Sequence, residues 1–223
     1  MTELYVAEIC VSVMGEMPLQ GFPCVILRLA GCNLRCSYCD TPQALEVDSS
    51  RHSLRSLDEI VEEVASQGPS LVLVTGGEPM YQAGTPAMIE RLREVGMDVV
   101  LETNGSYDLT AVPEDVVRVV DVKSPGSGEG GSFLDSNLEQ LDSNDCLKFI
   151  VRNREDYLWS VNFLEINGLR EGGGGPGHAS RAPGVLFSPA CGEMEPERLV
   201  QWILEDRINV RLNLQLHKYL GLP

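Results

Sequence analysis

The apolar residues of this chain gather in short aliphatic runs separated by amphipathic stretches. Runs at 5–13, 24–30, 71–74, 99–101, 116–122, 146–151, 185–187 and 210–216 read as strands. Between several of them the apolar positions change to a helical period. Ser56-Leu57-Asp58-Glu59 is a capping box, in which the serine oxygen accepts from the amide three residues on and Glu59 reaches back. Leu57, Ile60, Val61, Val64 and Ala65 then share one face, and Gly68 closes the helix. Thr85-Pro86 reads as N-cap and first position of a second helix that ends at Gly96. Segments 155–166 and 195–206 supply two more. Strand and helix alternating at this spacing predict an α/β fold with a mostly parallel, curved sheet, open or curled into a partial barrel.

Polar or glycine-rich segments follow the strand runs. Residues 32–41 follow 24–30, Thr75-Gly76-Gly77-Glu78-Pro79 follows 71–74, and Glu102-Thr103-Asn104-Gly105 follows 99–101. Asp121-Val122-Lys123-Ser124-Pro125 closes the run that begins at 116, and Ser188-Pro189 follows 185–187. In parallel α/β sheets the carboxyl ends of the strands share one face and carry ligands, so these five segments are expected to meet at one site. The glycine-rich stretch 172–177 reads as a surface-loop insertion within a single domain spanning 1–223.

Composition narrows the function classes. At 223 residues and 43% hydrophobic, the chain can bury one core. Its 17 Lys and Arg against 33 Asp and Glu give a net charge of −16, which argues against a nucleic-acid surface and against docking on anionic membranes. No apolar run approaches the roughly 20 residues of a spanning helix. Met1-Thr2-Glu3-Leu4 lacks the basic and apolar regions of a signal peptide, so a soluble cytoplasmic protein is expected. Seven cysteines in that compartment point to a metal site plus buried thiols, not a disulfide framework.

Cys32-x3-Cys36-x2-Cys39 places three thiols on one tight loop. Soft sulfur ligands at this spacing suit three irons of a 4Fe–4S cluster and leave the fourth iron open to a substrate or cofactor. A structural zinc site completed by Cys191, His178 or His217 is the competing reading, although such sites usually pair two ligand clusters. Cys10, Cys24 and Cys146 lie in apolar runs and read as buried thiols, leaving Cys191 unassigned.

The cysteine spacing, with Tyr38 before the last cysteine and Gly76-Gly77-Glu78-Pro79 downstream, resembles the radical S-adenosylmethionine (SAM) superfamily. A narrower resemblance runs almost the length of the chain. Gly15-Glu16, Gln20-Gly21-x-Pro23, Arg28, Gly31-Cys32-Asn33-Leu34, Cys39-Asp40-Thr41, residues 75–79, 102–105 and 121–127, and Leu214-Gln215-Leu216-His217-Lys218 resemble the 7-carboxy-7-deazaguanine synthase family. That resemblance implies a trimmed partial (β/α) barrel of the radical SAM type, which suits the short chain. It implies conversion of 6-carboxy-5,6,7,8-tetrahydropterin to 7-carboxy-7-deazaguanine with loss of ammonia, for queuosine and other 7-deazapurines. It further implies catalytic use of SAM, a need for Mg2+, an electron donor such as flavodoxin, and a homodimer.

The resemblance also distributes roles. Cys32, Cys36 and Cys39 would bind the cluster and Thr41 the magnesium. SAM would be held by Tyr38, Cys39, Asp40, Gly77, Glu78, Lys123, Ser124, Ser127 and Ser188, with Gly77 allowing close approach. The pterin would meet Val13, Met14 and Gly15 through backbone groups, Arg28 through its carboxylate, Thr75, and the C-terminal carboxylate of Pro223. Relatives often carry Gln-Gly-Glu-Gly where this chain has Met14-Gly15-Glu16-Met17, a change that backbone contacts tolerate. Glu102 and Asn104 are expected to face the site. From the residues alone, a surface ion pair is the alternative for Arg28, against which its apolar run argues; Lys123 could pair with a neighbouring acid, and Asp40-Thr41 could be a plain turn. No residue identifies itself as the general acid for ammonia loss. A glycyl-radical-enzyme activase and a zinc-binding interaction module are the alternative functions.

Overall fold

A computed structural model describes residues 2–16, 18–48, 50–170 and 182–222. The glycine-rich stretch 172–177, His178 and Pro223 lie outside the described residues. The strands are β1 Glu3–Val13, β2 Pro23–Leu29, β3 Ser53–Ser56, β4 Leu71–Gly76, β5 Asp98–Thr103, β6 Val117–Asp121, β7 Cys146–Val151, β8 Gly184–Pro189 and β9 Arg211–Leu212. The α-helices are α1 Leu57–Ser66, α2 Thr85–Glu94, α3 Arg154–Ile166, α4 Pro196–Glu205 and α5 Leu216–Leu220. All nine strands form one sheet in the order β3-β1-β2-β4-β5-β6-β7-β8-β9. β1 runs antiparallel to β2 and β3, and from β2 to β9 every neighbouring pair is parallel.

The two faces of the sheet carry different cores, because successive side chains of a strand point to opposite sides. Val25, Leu27 and Leu29 of β2, Val72 and Val74 of β4, Leu101 of β5, Val120 of β6, Leu147 and Phe149 of β7, and Phe187 of β8 join one large cluster with Ile60, Val64, Met88, Leu92, Tyr157 and Leu199 of the helices. Phe187 meets Phe149 and Tyr157 edge-on at centroid distances of 5.6 and 5.7 Å, which seats α3 on β7 and β8. The intervening residues Cys24, Ile26, Leu71, Val100, Val119, Cys146 and Leu186 form a second, smaller cluster on the opposite face. Burial pushes the thiols of Cys10 and Cys24 up to about 11 and that of Cys146 up to about 12, as expected of cysteines packed among apolar residues.

Two sequence expectations need correction, and one strand lacked a sequence signal. The run 210–216 yields only the two-residue β9, after which Asn213 turns to side-chain partners and a short helix begins at Leu216. Thr85 is the first residue of α2 and Gly84 its N-cap, because the threonine hydroxyl is committed to Pro79 O at 2.5 Å. The edge strand β3, Ser-Leu-Arg-Ser, had no apolar alternation to announce it and forms by pairing with β1. The capping box of α1 is present as read: Glu59 N–H donates to Ser56 Oγ at 3.4 Å and Ser56 N–H to Glu59 Oε2 at 2.8 Å. Ser56→Ala should lower stability by ~1 kcal/mol in urea unfolding, with no change in the slope of the transition.

Candidate active site

A cavity of about 520 Å³ opens above the smaller core, at the carboxyl ends of the parallel strands. The same alternation that builds its floor builds its wall. Ile26, Leu73, Val100 and Val119 line the bottom, and two residues further along each strand stand Arg28, Thr75, Glu102 and Asp121. On β7 the corresponding step runs from Cys146 to Lys148. On β2, β4, β5 and β6 the cavity face thus turns from apolar to polar just before the strand ends, whereas on β7 Ile150 follows Lys148 at the wall.

The cysteine loop closes one side. Cys32, Cys36 and Cys39 all line the cavity and are partly buried. Backbone bonds hold the loop: Gly31 N–H to Ala44 O at 2.8 Å, Cys32 N–H to Leu45 O at 2.9 Å and Ser37 N–H to Ser127 O at 2.8 Å. Burial raises the thiols of Cys32 and Cys36, the latter to about 11, so binding iron here displaces protons. Among the described residues no three His, Cys, Asp or Glu side chains converge as ligands of one metal ion. A cluster makes a different demand, since it takes each thiolate at a separate iron. Two buried polar atoms of residues in the cavity wall, Tyr38 Oη and Asp121 Oδ1, have no hydrogen-bond partner within the protein, so their bonding capacity is unused. The donor set and these unpartnered atoms fit a cluster with a polar cofactor beside it.

The Gly-Gly-Glu-Pro segment is chiefly a clamp. Gly77 borders the cavity, but a Cβ on it would meet Gly31 O at 2.5 Å, Ala44 O at 2.6 Å and Cys32 Cβ at 2.8 Å. Glycine is required there by the cysteine loop packed against it. Glu78 is fully buried and does not reach the cavity wall. Its Oε1 accepts from Thr103 Oγ1 at 2.7 Å and Met80 N–H at 2.9 Å, and its Oε2 from Asn104 N–H at 2.6 Å. The carboxylate therefore ties the end of β4 to the end of β5. Burial outweighs those donors and raises its pKa.

The remaining residues fall into two groups. Val13, Met14, Gly15, Arg28, Tyr38, Asp40, Thr41, Thr75 and Lys123 line the cavity with the cysteines. Ser124, Ser127 and Ser188 do not. Ser124 Oγ donates to Ile150 O at 3.2 Å, Ser127 Oγ to Ser124 O at 2.6 Å, and Ser188 Oγ accepts from Asn213 Nδ2 at 2.8 Å. These three buried hydroxyls hold the turns behind the wall. Lys123 pairs with Asp121 Oδ2 at 2.9 Å and lies 5.6 Å from the centre of the Tyr38 ring, so the neighbouring-acid reading describes its contacts. Arg28 pairs through Nε with Glu8 Oε2 at 3.2 Å while remaining at the wall. Thr41 Oγ1 donates to Gly76 O at 3.5 Å. Burial alone would raise Asp40, but Lys218 at 2.8 Å holds its carboxyl below the usual range.

Two features escaped the sequence reading. Lys148, 3% exposed, meets three carboxylates: Glu102, Glu16 at 3.0 Å and Asp121 at 3.5 Å. Burial by itself would lower its pKa, yet Glu102, Glu16 and Asp121 hold it well above the ordinary lysine range. A lysine within the apolar run Cys-Leu-Lys-Phe-Ile-Val was the available signal, because a buried ammonium must be paired. The second feature is the roof. Gln215, His217 and Lys218 line the cavity, and Leu216 N–H donates to Gly15 O at 2.8 Å. A Cβ on Gly15 would fall 1.9 Å from His217 Nδ1, so glycine at this position makes room for the histidine. Burial lowers the pKa of that imidazole.

Residues 26–123 match the Radical SAM superfamily. The 7-carboxy-7-deazaguanine synthase of Koribacter versatilis is 39% identical over 235 residues, covering 99% of this chain and 98% of the relative. The chain belongs to that family. The enzyme of the same name from Chlorobaculum tepidum is 35% identical over 223 residues, covering 99% of this chain and 95% of its own. The fold is that of QueE from Escherichia coli, with a TM-score of 0.74 at 19% identity over 96% of this chain and 94% of that one. Membership in the 7-carboxy-7-deazaguanine synthases, a radical SAM family, implies a 4Fe–4S cluster and SAM as cofactors. Within this family fold Glu78 joins two strand ends, so Glu78→Gln, which sets an amide NH2 against one of three donors, should cost ~1–3 kcal/mol in chemical denaturation.

Proposed function

We propose that this protein converts 6-carboxy-5,6,7,8-tetrahydropterin to 7-carboxy-7-deazaguanine with loss of ammonia, using SAM catalytically, and so supplies a precursor of queuosine and other 7-deazapurines. The observation that carries the reading is the meeting of the three-cysteine loop and the polar strand ends around one cavity, in a chain related end to end to the synthases. Cys32, Cys36 and Cys39 would hold the cluster. Bound together, cluster and SAM supply one-electron reduction and a hydrogen-abstracting carbon radical; the protein must position the substrate and keep water out.

Tyr38 and Lys123, adjacent at the wall, are suited to the nucleoside side of SAM. Arg28 offers a guanidinium to the pterin carboxylate, in competition with Glu8. Thr75, Val13, Met14 and Gly15 complete that side. Thr41 presents a hydroxyl beside Cys39, 4.0 Å from its sulfur, and is the proposed magnesium ligand; oxygen donors and retained waters suit that ion. For Pro223 the support is the approach of the preceding helix to the cavity through His217 and Lys218. A single domain over 1–223, a homodimer, a flavodoxin-type electron donor and a cytoplasmic location complete the reading. Among the described residues no helix is long and apolar enough to cross a membrane. The end-to-end relationship to synthases favours this function over a glycyl-radical-enzyme activase or a zinc-binding module.

Reconstituted without oxygen, the protein should carry about four irons and four sulfides per chain. It should form the deazaguanine acid from carboxytetrahydropterin, as followed by mass spectrometry, and Cys36→Ala should abolish this. One zinc without sulfide, or deoxyadenosine accumulating without pterin turnover, would refute the assignment. Thr41→Val should raise the magnesium concentration needed for half-maximal rate by about 10-fold or more while leaving the iron content intact.

A further inference from the structure

The carboxylates around Lys148 come from three segments that are distant in sequence: Glu16 after β1, Glu102 on β5 and Asp121 at the end of β6. Among these, Glu16 and Glu102 are held at both oxygens. Glu16 Oε1 accepts from Gln215 Nε2 at 2.9 Å, while its Oε2 accepts from Asn213 Nδ2 at 2.9 Å and from Lys148. Glu102 Oε2 accepts from Thr75 Oγ1 at 3.2 Å while its Oε1 takes Lys148. Both residues line the cavity. Among the described residues Lys148 is the cation that forms ion pairs with both, and no step of the proposed reaction accounts for it.

We propose that Lys148 is a positioning residue: its buried ammonium sets Glu16 and Glu102 side by side on the cavity wall, as fixed acceptors for N–H groups of the pterin. This role rests on the reaction proposed above. Two glutamates this close would repel and turn apart without a cation between them. Asp121 Oδ2 lies between Lys148 and Lys123, so the lysine pair also connects the glutamates to the Tyr38 side of the cavity. The other titratable groups acting on this cluster include Tyr38, which feels Asp121 and Lys148, His217, which feels Glu16 and Glu102, and the Asp40–Lys218 pair.

The pH dependence supplies a readout that loss of packing would not move. Burial raises the Glu16 carboxyl, and Lys148 is the largest of the influences that bring it below its ordinary value. Lys148→Met removes that influence, so the Glu16 carboxyl should titrate higher than in the wild type and reach its charged form only at higher pH. For the reconstituted, SAM-loaded enzyme, kcat/KM for carboxytetrahydropterin should therefore be level in the wild type between about pH 6 and 9. In Lys148→Met it should fall by ~100-fold near neutral pH, the scale of an unpaired buried charge, and climb with pH. Lys148→Arg keeps a cation and should stay level, within ~10-fold of wild type. Iron content and SAM binding, measured on each variant, should match wild type. If Lys148→Met fails to assemble a cluster, Lys148→Arg carries the test. A Lys148→Met enzyme with wild-type kcat/KM and a level profile overturns the proposal. So does a Lys148→Arg enzyme whose rate climbs with pH despite its cation. Failure of the wild type to make the deazaguanine acid removes the reaction and this role with it, whereas wild-type turnover with unchanged Lys148→Met removes only the role of Lys148.

Discussion

A single ammonium group, buried within one strand and surrounded by three carboxylates, constrains much of this molecule. Lys148 can be 3% exposed only because Glu16, Glu102 and Asp121 are brought to it. An unpaired charge there would cost several kcal/mol, more than any one apolar contact returns. The requirement reaches well beyond β7. Glu16 belongs to the loop after β1, and Asn213 and Gln215 of the C-terminal segment bond to the same carboxylate. The roof over the cavity is therefore anchored by the same carboxylate that compensates the charge in its wall.

A second buried carboxylate does comparable work on the opposite side. Glu78 collects three donors from the ends of β4 and β5, and Gly77 beside it lets the cysteine loop pack close. Both residues belong to a segment that the family resemblance marks as cofactor-binding. Each also has a contact within the protein that its family role does not require, as do Ser124, Ser127 and Ser188. A hydroxyl or carboxylate with its partners supplied by turns and strand ends is a brace. Tyr38 and Asp121, each with a buried atom lacking a partner, are the wall residues with capacity to spare for a ligand.

The parallel strands, the capping box at Ser56 and the cysteine loop were legible because each rests on neighbouring residues: short aliphatic runs, a four-residue hydrogen-bond pattern, three thiols in eight positions. β3 was not, since its exposed residues form a strand only by pairing with β1. The run 210–216 was read too long for a related reason. Its apolar residues alternate well enough, and Asn213 N–H still donates to Phe187 O at 2.9 Å, but Leu216 N–H is taken by Gly15 O and not by β8.

Lys148 marks the boundary between the two kinds of information. That a lysine in an apolar run must find counter-charges follows from its sequence neighbours and the cost of burying an ion. Which carboxylates it finds depends on strand order and register, since β6 stands beside β7 with Asp121 opposite Lys148 and β5 brings in Glu102 from one strand further away. By itself the sequence determined the parallel α/β frame, the polar strand ends and the three-cysteine loop, because those depend on periodicity and spacing along the chain. Only the tertiary structure decided which polar groups face the cavity and which brace it. That choice is made by partners from distant segments competing for the same hydrogen bonds, and no local pattern encodes the outcome.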